Sequence, residues 1–336
     1  MKIKNALYWI AFIAIGSVAI TSCGGCGGNN AGEDVGTGNL SKVVCDESFR
    51  NILDEEIQVF EFQYKNKNYQ VLPRYMDESS AFKMLFDKKV DMIITYRDLT
   101  EKQRQILRGQ NRAYRSTRIA VDAIALIVNN ENDIDFLSMN DIKDILTGKS
   151  LVWGQVYPTK LKNDSIKVIF DQNHSGVVHY MQDKFNDGKD FPINYYAQGS
   201  SQAVFDMVEK TKNAIGVISV TWITDDLKST EKPIEERFDD LEKSNSIERT
   251  SFTNKIKVLE VSTNEVGGHK PYQQYIYDGS YPLVREIFAI DASGLHSTDH
   301  AFYSFITGSM GQKIIMMTGI SAAAVPVRVV NVGGNN

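Results

Sequence analysis

The sequence predicts an α/β protein of two lobes joined by two crossover hinge strands, and three observations carry that expectation. From Ser41 onward, short apolar runs alternate with amphipathic stretches, the pattern of a mainly parallel sheet covered by helices on both faces. Two runs, 119–128 and 281–290, are long for strands and too rich in β-branched residues for comfortable helices, and they bracket a complete α/β unit. A chain of 336 residues also exceeds what a single core usually holds. The expected organisation is a signal peptide over 1–22, a flexible tether over 23–40, lobe 1 over 41–119 plus 286–336, and lobe 2 over 120–285.

The elements follow in order. Residues 43–45 read as a strand, and Ser48 can then cap a helix whose apolar positions Phe49, Ile52, Leu53, Ile57 and Phe60 recur at helical spacing. Residues 69–76 read as a strand, 79–86 as a short helix and 91–95 as another strand. Beyond the first long strand come a helix at 140–146, a strand at 167–170, helices at 175–185 and 201–210, and a strand at 214–219. The stretch 225–250 is dense in charge and poor in apolar residues, which predicts a solvated insertion. Cys45 lies in an apolar run and is expected to be buried.

Lys2 and Lys4 precede an apolar run over 6–20 that ends in Ile20-Thr21-Ser22-Cys23. A basic start, a short apolar core and small residues make a secretory leader, and a run of about fifteen residues falls short of the roughly 20 a spanning helix needs. The last four residues resemble a bacterial lipobox, which implies that Cys23 is the lipid attachment site and the first residue of the mature protein. Cys23-Gly24-Gly25-Cys26 has the spacing of a thiol redox pair, but lacks the flanking strand and helix that lower a thiol pKa. The glycines at 24, 25, 27 and 28 open no strand-turn-helix unit and so form no phosphate loop. With the asparagines nearby they read as a tether.

A balance of 37 basic against 42 acidic residues, net −5, leaves no basic footprint for nucleic acid. His296 and His300 stand four apart around Asp299, a helical spacing that suits zinc, yet no third ligand is near and Ser297 or Thr298 reads as a helix start. His174, His179 and His269 are scattered and belong to no catalytic phrase. No catalytic residue, metal or cofactor is expected, and the chain is not expected to be an enzyme.

Several phrases occur in order along nearly the whole mature chain: Asp46-Glu47-Ser48-Phe49, Glu78-Ser79-Ser80, and Val90-Asp91-Met92-Ile93-Ile94-Thr95-Tyr96-Arg97-Asp98-Leu99-Thr100. Then come the run 120–129, Leu137-Ser138-Met139-Asn140-Asp141-Ile142 with Gly148 and Trp153, Asn173-His174-Ser175-Gly176, Asn213-Ala214-Ile215-Gly216-Val217, and Gly311-Gln312-Lys313-Ile314-Ile315. Together they resemble the phosphate-binding subunits of bacterial ABC transporters, in the periplasmic binding protein family. The resemblance implies the two-lobed type II fold, closing over inorganic phosphate or a related oxyanion, and ABC permease subunits as partners. It also implies a periplasmic location, with the protein held on the membrane by its N-terminal lipid. The alternatives are another oxyanion on the same fold, or a sensor or interaction lipoprotein without transport.

Ser48, Ser79 and Ser175 each stand where a helix is expected to begin, so each can offer a hydroxyl and first-turn amides to an anion, or be an ordinary cap. Phe49, Thr95, Gly176 and Val177 complete the expected ligand-binding set with Tyr96, Arg97 and Asp171. Three of these depart from the family pattern: Tyr96 replaces an acid, Asp171 an arginine, and Val177 a threonine. The expectation is that charges have exchanged lobes, with Arg97 supplying the cation and Asp171 the acceptor for protonated phosphate. In the rival readings Asp171 merely orients Arg97, or Arg97 pairs with Asp98 at the surface.

Overall fold

A computed structural model of the chain describes residues 39–193, 195–223, 232–243, 252–263 and 267–323. The leader and Cys23 lie outside them, as do Cys26 and all but the last two residues of the expected tether. Leu40, counted with the tether, instead opens the first strand. Among the described residues, no helix is long and apolar enough to cross a membrane.

The chain runs β1 (Leu40–Asp46), α1 (Arg50–Gln63), β2 (Gln70–Met76), α2 (Glu78–Phe86), β3 (Met92–Thr95), α3 (Glu101–Gly109) and β4 (Arg115–Val128). It continues with β5 (Phe136–Ser138), α4 (Met139–Leu146), β6 (Lys167–Phe170), α5 (Gly176–Phe185), β7 (Tyr196–Ala197), α6 (Ser201–Lys210) and β8 (Ala214–Ser219). Last come α7 (Ile234–Lys243), β9 (Lys257–Val258), β10 (Glu260–Ser262), α8 (Gln273–Tyr277), β11 (Val284–Asp291), α9 (Thr298–Thr307), α10 (Ser309–Met317) and β12 (Ser321–Ala322).

The main sheet has the order β2-β1-β3-β11-β4-β8-β6-β7. Its two ends are parallel: β1 lies between β2 and β3 in one half, β6 between β7 and β8 in the other. The two long strands, antiparallel to each other and to their neighbours, join the halves. β4 changes partner along its length, pairing with β11 up to Ala123 and with β8 from Ile124 onward. Its second half is buried throughout, as expected of a strand covered on both faces. This is the mixed α/β, two-lobed architecture expected from the alternating pattern.

Strand alternation divides the core. Val43, Cys45, Met92 and Ile94 face the main cluster with α1 residues Ile52, Leu53 and Phe60, while Val44 and Ile93 face a smaller cluster with Phe82 and Leu85 of α2. Cys45 is fully buried, and its thiol donates to the carbonyl of Asp46. The charged stretch 225–250 is not wholly a solvated insertion. α7 carries a buried Arg237 that reaches Glu55 and Gln58 of α1, and Leu241 is buried beside it.

Candidate functional site

The end of β1 turns sharply into α1 through a single 3-10 turn, residues 47–49, and the residue that caps it is Asp46 rather than Ser48. Asp46 Oδ1 accepts the Ser48 amide at 3.0 Å and also the Ser48 hydroxyl. A carboxylate two residues before the serine takes the capping role because it accepts both donors at once. The same displacement occurs at α2, where Asp77 caps the helix by accepting the Ser80 amide at 2.9 Å and Ser79 is exposed. Ser175 does cap α5, accepting the Val178 amide at 3.3 Å. Phe49 and Val177 are buried in the main core.

Asp46 also reaches across the sheet. Its Oδ2 accepts the amide of Gly176, the first residue of α5, at 2.6 Å. The positive end of a ten-residue helix therefore meets an anion supplied by the other half of the fold. Glycine is required for this approach. A Cβ at Gly176 would lie 2.8 Å from Asp46 Oδ2, 3.0 Å from Tyr96 Cδ1 and 3.1 Å from Arg285 Nη1.

Arg285, on β11, is a buried cation beside this contact. Its Nη2 donates to Ser48 Oγ at 2.5 Å and to Asp122 Oδ2 at 2.8 Å, its Nε donates to Asp122 Oδ2 at 3.0 Å, and Ser219 completes Asp122 with a bond of 2.8 Å. Nη1 has no hydrogen-bond partner among the described residues. Burial raises the carboxyl of Asp122 despite the opposing charge of Arg285. Trp222 Nε1 donates to the Ser48 carbonyl at 3.3 Å.

Asp171 lies fully buried before α5, its Oδ1 accepting from Ser175 Oγ at 2.5 Å and from the Gln172 amide at 2.8 Å. Its Oδ2 has no partner among the described residues. Burial, and then the nearby charge of Asp46, push this carboxyl up to about 7. The cation that offsets it in part is Arg285.

Arg97 stands elsewhere. Its guanidinium forms an ion pair of 2.8 Å with the buried Glu78, while the side chain remains 44% exposed. That places it in neither the pair with Asp171 nor the surface pair with Asp98, whose partner is Arg104. Glu78 also faces His179 Nδ1 of α5 at 3.6 Å, and burial raises its carboxyl despite both neighbours. Tyr96, buried between the halves, donates to Asp183 of α5 at 3.0 Å, and Thr95 donates to the Arg97 carbonyl at 2.9 Å. Of the helical pair His296 and His300, His300 Nδ1 lies 3.0 Å from Asp291 Oδ2.

Sequence reasoning therefore brought Ser48, Tyr96, Ser175 and Gly176 to one place, but missed Asp46 as an acceptor and Arg285 and Asp122 altogether. A signal existed. The run 119–128 carries Asp122 in its interior and the run 281–290 carries Arg285 next to Glu286, and an apolar run buries a charge only with a partner.

The "Phosphate-binding protein PstS" of Staphylococcus aureus is 23% identical over 212 residues, 62% of this chain and 55% of the relative. The chain thus matches little more than half the length of that relative. The protein of the same name from Staphylococcus saprophyticus is 23% identical over 283 residues, 82% of this chain and 76% of its own. Among solved structures, a protein from Clostridium perfringens described as a phosphate ABC transporter substrate-binding protein with bound phosphate superposes with a TM-score of 0.65 at 19% identity, covering 85% of this chain and all of that one. The family described as the PBP superfamily domain matches residues 30–309, and the chain belongs to that superfamily.

Proposed function

We propose that the protein is a lipid-anchored solute-binding protein that captures phosphate by closure of its lobes and delivers it to an ABC permease. One observation carries this reading. The Gly176 amide at the start of α5 and the amide and hydroxyl of Ser48 converge on the Asp46 carboxylate, and the guanidinium of Arg285 donates to Ser48 Oγ beside it. Donors of that kind recognise any tetrahedral or planar oxyanion, and the names of the relatives favour phosphate. The ligand-contacting set is Ser48, Ser175, Gly176 and Arg285, with Tyr96 and Asp183 tying the lobes. Asp171, with a free oxygen and a carboxyl near neutrality, is the group that exchanges a proton with the ligand.

Calorimetry against phosphate, sulfate and molybdate tests the reading: phosphate should bind most tightly, and no heat from any of the three would end it. A second reading has its own support. Three buried carboxylates, Asp46, Asp122 and Asp171, surround the single guanidinium of Arg285, a surplus of negative charge suited to a sensor or interaction lipoprotein in which the anion site has been put to other use.

A further inference from the structure

The donors of the anion site are already engaged by the protein itself. Asp46 Oδ1 accepts two bonds from Ser48, and Oδ2 accepts the Gly176 amide from a residue 130 positions away. A carboxylate and a hydrogen phosphate present equivalent acceptor oxygens to N–H and O–H donors, so both cannot hold the same donors. Beside this contact lies Arg285 Nη1, buried, without a partner among the described residues and 3.1 Å from where a Gly176 Cβ would stand. The unpartnered guanidinium nitrogen identifies the start of α5 as a ligand position, independently of the helix terminus.

The geometry points to Asp46 as a tethered anionic ligand: its carboxylate occupies the oxyanion position and latches the two lobes closed in the absence of solute. This inference rests on the anion-site reading of the cleft given above. Asp46 ends β1 in one half of the sheet, and Gly176 opens α5 in the other. The bond between them is therefore made only when the halves are together. An intramolecular ligand competes at a high effective concentration. Incoming phosphate must displace it, so the measured dissociation constant is the intrinsic one divided by the fraction of molecules with the latch released. Asp46 is thus a determinant of affinity that acts by competition.

Two variants separate the roles of Asp46. Asp46→Asn keeps the Oδ1 acceptor that caps the 3-10 turn, but sets an NH2 against the Gly176 N–H. Asp46→Ala removes both bonds. Small-angle scattering on unliganded protein should give a larger radius of gyration for both variants than for the wild type. Calorimetry with inorganic phosphate should give at least tenfold tighter binding to Asp46→Ala, equivalent to about 1.4 kcal/mol.

An unchanged radius in both variants overturns the latch. Phosphate binding to the wild type as tightly as to the variants, or more tightly, also overturns it, because Asp46 is then a partner of the ligand, and the phosphate reading survives. Opening of both variants with no phosphate heat from any protein supports the latch and sinks the phosphate reading instead.

Discussion

Arg285 and Asp122 are direct partners in the antiparallel register of β11 and β4, and their side chains close the same pairing with bonds of 2.8 and 3.0 Å. The register places the buried ion pair one residue from Ala123, where β4 leaves β11 for β8. Replacing Arg285 by Ala leaves Asp122 buried without its cation, a change expected to cost about 3–5 kcal/mol of stability. Adding Asp122→Asn should recover a large part of that loss. Urea unfolding of the two single variants and the double variant measures the coupling, and simple additivity would show that the pair is not a unit.

For binding, Arg285→Lys and Arg97→Ala make the informative contrast. Lysine keeps the charge but not the fork that spans Ser48 and Asp122, so phosphate affinity should fall more than tenfold. Arg97, engaged with Glu78 and 44% exposed, should change affinity only a few-fold when replaced. Calorimetry that ranked the two in the opposite order would return the cation's role to Arg97.

Gly176→Ala separates folding from closure. Alanine is the better helix former, by roughly 1 kcal/mol at an interior position, so thermal stability of the open form should hold. The added methyl meets Asp46, Tyr96 and Arg285 at 2.8 to 3.1 Å, which prevents the lobes from meeting. Phosphate affinity should drop more than tenfold while the unliganded radius of gyration rises; full affinity in Gly176→Ala would mean that ligand is held without this approach.

Asp171 sets a pH dependence whose sign is fixed. Its carboxyl titrates near 7 in the folded chain, above its ordinary value near 4. Between those values the folded state binds more protons than the unfolded state, so stability falls as pH rises from about 4 to about 7 and stays reduced above. Asp171→Asn removes that dependence. Its stability advantage over the wild type should grow from pH 5 to pH 8 by on the order of 1–3 kcal/mol. Urea titrations at the two pH values check this, and a constant difference would place the titration elsewhere.

The lipid anchor is tested by Cys23→Ala, which should move the protein from the membrane fraction to the soluble one. Retention on the membrane with the leader removed would exclude lipidation at Cys23.

Alternation of apolar runs and amphipathic stretches located many of the strands and helices but not α3, which lies on a strongly polar stretch, nor α7, which lies in the charged stretch read as an insertion. The strand at 167–170, the helix at 201–210 and the strand at 214–219 fall on β6, α6 and β8 without adjustment. Caps were harder. At Ser48 and Ser79 an aspartate stands two residues earlier, and aspartate and serine cap about equally well, so only the backbone path decides between them. The candidate site was legible where a residue acts through its own chain position, as Ser175 does in capping α5. It was hidden where the partner comes from another strand, as with Arg285 and Asp122, because register between two strands far apart in sequence is a property of the assembled sheet.

In the proposed closure, Arg285 and Asp122, which sit where β4 changes partner, belong to the pivot, while Ser48 and Gly176 ride on the parts that separate. Opening therefore leaves the guanidinium in place and withdraws the amides. This assigns different stages of an encounter to different residues. Removing the pivot cation leaves buried carboxylates facing an arriving anion, so Arg285 substitutions should appear in the association rate and its salt dependence. The amides engage only after arrival, so theirs should appear in the dissociation rate. Stopped-flow traces of the Arg285 and Gly176 variants would then diverge in opposite limbs of the kinetics, even where their equilibrium affinities agree.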